Sequence, residues 1–281
     1  MNISNSKPFL KVKDYSVSGE TFELLYNSDY DMLITHPQPS IQDLPRYYES
    51  EDYISHTDGK RSLFEKLYHL VKKIALSNKL ALINSCQAKE SLLDIGAGTG
   101  DFLLVAKNNG WQTTGIEPSL KAKEIAKKKG VSFVNQISEI SDKSIDVVTM
   151  WHVLEHVPDL ENQISELKRI IKTNGTIIIA VPNFKSFDAN HYGKFWAAFD
   201  VPIHLWHFSK TAIEKLFDEK DLKLTKTVPM KFDSFYVSLL SEKYKTGKMN
   251  FIKAFFIGLK SNWLAKQNLE YSSHIYVFKN K

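Results

Sequence analysis

With 281 residues, 43% of them hydrophobic and 25% charged, the chain has the composition of a soluble globular protein of one large domain plus additions, and no disordered segment is needed to account for it. A formal net charge of +5 is too modest for a nucleic-acid stripe, because the lysines are scattered, there are only three arginines, and aromatics are not interleaved with basic runs. The single cysteine, Cys86, rules out an internal disulfide framework and an all-cysteine zinc site, and neither a secretory leader nor an apolar run of membrane-spanning length is visible, so a cytoplasmic protein is expected.

Residues 1 to 60 read as a polar lead punctuated by Pro37, Pro39 and Pro45 and closing in an aromatic cluster from Tyr47 to His56. Tyr48, Tyr53 and His56 are candidates to close over a ligand as a lid, with plain domain packing the even alternative. A helical pattern over 63–84 leads into alternating elements: strand 91–96, helix 101–109, strand 112–117, helix 119–129, strand 131–135, strand 145–150, helix 160–172 and strand 175–181. That alternation predicts a parallel sheet with helices on both faces. Lys127, Lys128 and Lys129 read as a solvated helix end.

The first of these strands, Leu92-Leu93-Asp94-Ile95, turns into Gly96-Ala97-Gly98-Thr99-Gly100. Residues without a Cβ take unusual dihedrals and let a ligand lie against the main chain. Glu117 ends the next strand, directly before Pro118, and a carboxylate there can accept both hydroxyls of a ribose. A dinucleotide fingerprint counted from Gly96 needs glycine or alanine at position 101, where Asp101 stands, so a nicotinamide cofactor is disfavoured.

Strand 145–150 delivers Trp151 and His152 to the crevice that Gly98 faces. His152-Val153-Leu154-Glu155-His156 spells the H-x-x-E-H of inverted zincins, but it follows a strand and is broken by Pro158. Peptidase chemistry is therefore disfavoured and no metal is expected; His156 reads as a buried residue orienting the loop and Glu155 as a brace of the same turn. Asn174 to Asn183 is a tight turn, a buried strand and a proline stop, mainly scaffold. In Phe199 to Ser209, Ser209 reads as the N-cap of a helix from Lys210 to Glu219. His204 is a candidate to face an acceptor and His207 to pack, or both to fix the loop. After strand 223–228, residues 233–272 form an insert before a last strand over 274–279. Its segment Phe251 to Leu264 leaves three readings open: a cover for an apolar acceptor, a helix on an anionic membrane surface, or packing on the core or a second subunit.

Together these segments resemble the class I S-adenosylmethionine-dependent methyltransferases, and among them bacterial small-molecule enzymes related to the ubiquinone-pathway O-methyltransferases. The G-x-G-x-G from Gly96 resembles their first motif, the strand ending at Trp151-His152 their fourth-strand motif, 174–183 their fifth-strand segment, and 199–209 the stretch before a later helix. The resemblance implies an α/β, Rossmann-like doubly wound sheet of seven strands, mostly parallel with the last antiparallel. Residues 61–232 and 273–281 would form that core, with 1–60 an N-terminal extension and 233–272 a helical insert.

The resemblance also implies S-adenosylmethionine as cofactor. Asp94 would order its amino-acid end, Gly96, Ala97, Gly98 and Gly100 its approach to the backbone, and Glu117 its ribose. The adenine would rest by Ile116, Pro118 and Ile137, while Trp151 and His152 line the transfer site. The chemistry implied is an in-line displacement onto a small-molecule acceptor, a hydroxyl favoured, with His152 or His204 as candidate base and Tyr48, Tyr53, His56 and His207 around the acceptor. Family members often carry an acid after the third strand for the adenine amine; this chain has Asn135-Gln136-Ile137-Ser138. The lead resembles the front end of members with a cysteine-rich zinc module, yet Asn27 and Tyr30 stand where a C-x-x-C pair belongs. Two other classes remain as alternatives, a non-catalytic module binding S-adenosylmethionine or S-adenosylhomocysteine and a nicotinamide-dependent oxidoreductase. Acceptor identity and oligomeric state have no diagnostic pattern.

Overall fold

The computed structural model describes residues 4–48 and 63–280. Its first element is a surprise, since the polar lead folds into an antiparallel meander of β1 (Ser6–Lys13), β2 (Thr21–Asn27) and β3 (Met32–His36). Prolines suggested irregular chain, but Phe22 and Leu24 alternate on one buried face of β2. In β3 both faces are covered: Leu33 joins a cluster with Phe22, Tyr47, Trp196 and Phe199, whereas Met32 and Ile34 join the main core. Where the zinc-module members carry a cysteine pair, Asn27 Oδ1 accepts the Tyr30 amide at 3.1 Å and Asn27 Nδ2 donates to Ser6 Oγ at 3.1 Å. An amide side chain holds that turn.

Helix α1 (Leu63–Cys86) leads to β4 (Ser91–Ile95), α2 (Asp101–Asn108), β5 (Gln112–Ile116), α3 (Leu120–Lys128), β6 (Phe133–Val134), β7 (Ile145–Trp151), α4 (Leu160–Ile170) and β8 (Ile171–Pro182). There follow α5 (Phe187–Tyr192), β9 (Trp206–His207), α6 (Lys210–Asp218), β10 (Leu222–Pro229), α7 (Asp233–Thr246), α8 (Phe251–Asn268) and β11 (Ser273–Asn280). The seven-stranded sheet runs β10-β11-β8-β7-β4-β5-β6, with β11 antiparallel to both neighbours. Ile145 to Met150 of β7 are all buried, as on a parallel strand covered on both faces, with Asp146 and Thr149 the polar exceptions among apolar neighbours. Leu160, Ile164, Leu167 and Ile170 form the inward stripe of α4. Ser209 does cap α6, accepting the Ala212 amide at 3.0 Å.

Two boundaries differ from the sequence reading. The strand expected over 131–135 pairs only at Phe133 and Val134. Helix α4 stops at Ile170 and β8 starts at once, with Ile145 opposite Ile171 and Val147 opposite Thr176, so the residues between bulge out around Asn174 in the left-handed region.

The strand order reverses between β4 and β7, and β9 ties the meander to that place by pairing Leu33 with His207 and Ile34 with Trp206. The 233–272 segment is a helical hairpin. Ala254, Gly258, Ser261 and Ala265 of α8 face inward, and a Cβ on Gly258 would stand 2.7 Å from the Phe235 ring of α7, which explains the close packing. Outward lie exposed Phe251, Ile252, Phe255, Phe256, Leu259 and Trp263. Buried Asp188 of α5 accepts from Trp196 Nε1 at 2.8 Å, Ser261 Oγ at 2.6 Å and Ser272 Oγ at 2.7 Å, joining hairpin and sheet. Among the described residues no helix is long and apolar enough to cross a membrane.

Candidate active site

Open α/β sheets bind ligands outside the carboxyl ends of strands where the order reverses, here the ends of β4 and β7. The Gly96 and Ala97 amides donate to Ile116 O at 2.8 and 3.1 Å, folding the loop after β4 back on β5. Gly96 has φ of 72°, and a Cβ there would sit 2.3 Å from Val153 Cγ2; the chain can pass only without one. Gly98 is different. Its φ is 52° and nothing lies within 4 Å of where its Cβ would be, so the loop leaves an open approach to backbone at that residue. Gly100 serves packing, against Ala126 and Val131. Asp101, where a dinucleotide fingerprint wants a small residue, pairs with Lys72 at 2.6 Å and Lys129 at 2.5 Å.

Glu117 faces the loop. Its Oε2 accepts the Gly98 amide at 2.8 Å and its Oε1 the Ser119 amide at 2.8 Å. Each oxygen keeps lone-pair capacity beyond that bond, enough for one hydroxyl of a diol apiece. Pro118 beside it is exposed, and Ile116 and Ile137 are half-buried. Past β6, Glu139 accepts the Asn135 and Gln136 amides at 3.2 and 3.1 Å, so the nearest acid is spent on its own turn.

Asp94 is buried, its Oδ1 accepting from Thr149 Oγ1 at 2.5 Å. Burial raises its pKa to about 7 against the opposing pull of Thr149 and Lys79. Lys79 was not anticipated. It reaches from α1 to stand 4.3 Å from the centre of the Trp151 ring, and burial lowers its pKa while Asp94 and Asp233 act to raise it. Trp151 also meets the edge of Phe102 at 5.6 Å, and its Nε1 is buried with no hydrogen-bond partner among the described residues.

His152 takes a left-handed φ of 56° at the end of β7 and aims its ring between two carboxylates, with Nε2 3.2 Å from Asp233 Oδ2 and Nδ1 3.4 Å from Glu155 Oε1. Burial opposes charge on the ring, but Asp233 and then Glu155 outweigh it and push the pKa up to about 10. In this state His152 is an imidazolium without a lone pair, unsuited to take a proton at neutral pH. The H-x-x-E-H segment is no helix: Leu154–His156 is one tight turn, and His152 and His156 part company.

His156 is half-buried, with Nδ1 3.0 Å from Ile203 O and 3.1 Å from Tyr48 Oη. His204 is buried, its Nδ1 2.9 Å from Ala198 O, and its ring stands edge-on to His156 with centroids 4.6 Å apart. Desolvation pulls His156 down to about 4 and lowers His204, so both are neutral. His207 packs its ring edge-on to Phe199. It lies in β9, buried, with Nε2 3.0 Å from Thr35 Oγ1, because pairing with β3 turns it into the second core. Tyr53 and His56 lie outside the described residues. Thr149 and Asp233 were also missed; nothing local marks either, whereas Lys79 follows from no pattern but the inward face of a long helix.

The structure thus brings Asp94, Gly98, Glu117, Trp151 and His152 to one edge of the sheet. A family described as a methyltransferase domain matches residues 61–227 of the chain. The demethylmenaquinone methyltransferase of Tropheryma whipplei (strain Twist) is 28% identical over 99 residues, 33% of this chain and 41% of that protein. The ubiquinone biosynthesis O-methyltransferase of Nitrosomonas europaea is 29% identical over 106 residues, 34% of this chain and 45% of that protein. The matches span less than half the length of these two relatives. The magnesium protoporphyrin IX methyltransferase of Synechocystis, solved with bound SAH, has the same fold with a TM-score of 0.53 and 13% identity over 85% of this chain and 94% of that one.

Proposed function

Because the chain belongs to the methyltransferase-domain family, we propose that it moves the sulfonium methyl of S-adenosylmethionine to a small-molecule acceptor, a hydroxyl favoured. The observation that carries this reading is the pairing of Gly98 with Glu117: open backbone in the left-handed region beside a carboxylate whose two oxygens are already aimed by the Gly98 and Ser119 amides. Glu117 would take the ribose diol, and the exposed Pro118 with Ile116 and Ile137 an adenine face. Asp94 and Lys79, opposite in charge type and near enough to act on each other's titration, would take the ammonium and carboxylate of the amino-acid end, whose charges complement each of them.

Transfer from a sulfonium is an in-line displacement on an already activated methyl, so the protein's task is alignment. Of the two histidines that could deprotonate an acceptor, His152 is held charged with both ring nitrogens facing Asp233 and Glu155, which leaves it no lone pair to take a proton. Neutral His204, with Nδ1 on a backbone carbonyl, is the one able to accept a proton at Nε2. The relatives' names, which concern quinone precursors and a porphyrin, are compatible with a small organic acceptor.

Calorimetry on chain stripped of copurified molecules tests the reading. S-adenosylhomocysteine should bind at one site, NADH should not, and radiolabelled methyl should pass to a small-molecule fraction of an extract. Heat with neither sulfur ligand ends it; heat without labelled product leaves only a binding module.

A further inference from the structure

Among the described residues, Glu155 is a buried carboxylate with neither oxygen hydrogen-bonded. Its side chain is 1% exposed, and His152 Nδ1, at 3.4 Å from Oε1, falls outside hydrogen-bond geometry. The His152 imidazolium answers part of that charge, but it is shared with Asp233 and leaves both carboxylate oxygens without a hydrogen bond, a costly state for a buried carboxylate that a further cation would relieve. Around Glu155 stand His156 and His204, and one ligand atom from each of the three residues lies within 4.8 Å of the others.

We propose that Glu155, His156 and His204 form a binding site for a divalent first-row transition metal of the Zn2+ or Fe2+ type. The two imidazoles are built as metal ligands are. Each ring has its Nδ1 on a backbone carbonyl, Ile203 O for His156 and Ala198 O for His204, which fixes the tautomer with a lone pair on Nε2 and holds the ring in place. The segment from Phe199 to Leu205 is itself pinned to the Glu155 turn, since the Leu205 amide donates to Glu155 O at 2.8 Å. Two nitrogens and one carboxylate select a borderline transition ion over Mg2+ or Ca2+, which take oxygen ligands. Ligand atoms around a tetrahedral ion with bonds of about 2.0–2.1 Å stand about 3.3 Å apart, so side-chain adjustment of an ångström or so closes the set. Three protein ligands leave coordination positions open, the arrangement of catalytic rather than purely structural sites.

The proposal does not depend on the cofactor reading. It does compete with a proton-accepting His204, because a metal on Nε2 would occupy the lone pair.

The test uses the full chain without an affinity tag, treated with a chelator and dialysed. Co2+ titration followed by visible absorption, with Zn2+ competition, should show one site with nitrogen and oxygen ligation, and Mg2+ in excess should not displace it. Glu155→Gln and His204→Gln should each weaken Co2+ binding by more than the roughly 10–100-fold that disturbing a ligand's supporting hydrogen bond costs. His191→Gln, on the exposed side of α5 with its ring against Phe187 and Tyr192, should leave it within a few fold. Circular dichroism checks that each variant is folded, and should one not fold, the wild-type spectrum and stoichiometry still decide. Absence of a stoichiometric Co2+ or Zn2+ site in the wild type overturns the proposal, as does unchanged binding in either folded ligand variant.

Discussion

Between Gly96 and Gly100 the chain offers a ligand its backbone; between Glu155 and His204 it offers side chains brought together from two distant loops. The first region is made by removing atoms, and its shape is set within a single β-turn-α unit by what a Cβ would strike at Gly96 and would not strike at Gly98. The second is made by adding polar groups to a buried place, and it exists only because β9 carries the 199–209 segment onto the meander and back across the end of β7. A site of the first kind tolerates changes in neighbouring side chains but not in its own glycines. One of the second kind depends on every loop that brings a ligand to it.

The largest expected effect falls on the glycine loop. Gly96→Ala forces a Cβ to 2.3 Å from Val153 at a left-handed φ, and should destabilise the fold by about 3 kcal/mol or more in urea unfolding. A loss under about 1 kcal/mol would mean that the loop is softer than this contrast requires. Next is Glu117→Gln. An amide keeps the size but turns a donor toward either the Gly98 or the Ser119 amide, so S-adenosylhomocysteine affinity in calorimetry should fall by about 10–100-fold, with roughly 1–3 kcal/mol of stability lost as well.

Asp94 sharpens the comparison through pH. The folded carboxyl keeps its proton up to about pH 7, while the unfolded one releases it near 3.8, so in between the folded chain holds the extra proton and stability falls as pH rises through that interval. Unfolding free energy of the ligand-free chain should drop by up to about 4 kcal/mol from pH 4 to pH 7 from this group, and Asp94→Asn should remove that slope. The same slope in the variant would assign it to other groups. The smallest effect is at Tyr48→Phe, which deletes the hydroxyl 3.1 Å from His156 Nδ1 but leaves Ile203 O on that nitrogen; thermal unfolding should change by about 1 kcal/mol or less.

The same contrast explains what could be read from the sequence. The alternation of elements from Ser91 onward and the helix cap at Ser209 follow from periodicity and from local turn chemistry, whereas seven strands with the last antiparallel followed from the resemblance to the methyltransferases. Gly98 and Glu117 stand close in sequence on one supersecondary unit, so a local motif could nominate both. Nothing local could show that β3 pairs with β9, that His207 therefore turns inward, or that Asp233 of α7 would reach His152. H-x-x-E-H was visible as letters, and the strand before it with Pro158 after it already argued against a helix; what no local pattern could show is that His204 arrives beside Glu155 and His156 from another loop. Lys79 is similarly silent, one lysine among many until α1 is laid across Trp151.

Asp188 has a bearing on how this architecture could have grown. A single carboxylate out of solvent gathers the indole of Trp196, a serine from the hairpin and a serine leading into the final strand. Deleting 233–272 by gene surgery would strip both Ser261 and Ser272 from that junction and bare the faces α7 and α8 cover, so the hairpin is no detachable cassette. Its melting should coincide with that of the sheet, as one cooperative transition, and swapping it between homologous chains should succeed only when the acceptor of those three donors travels with it.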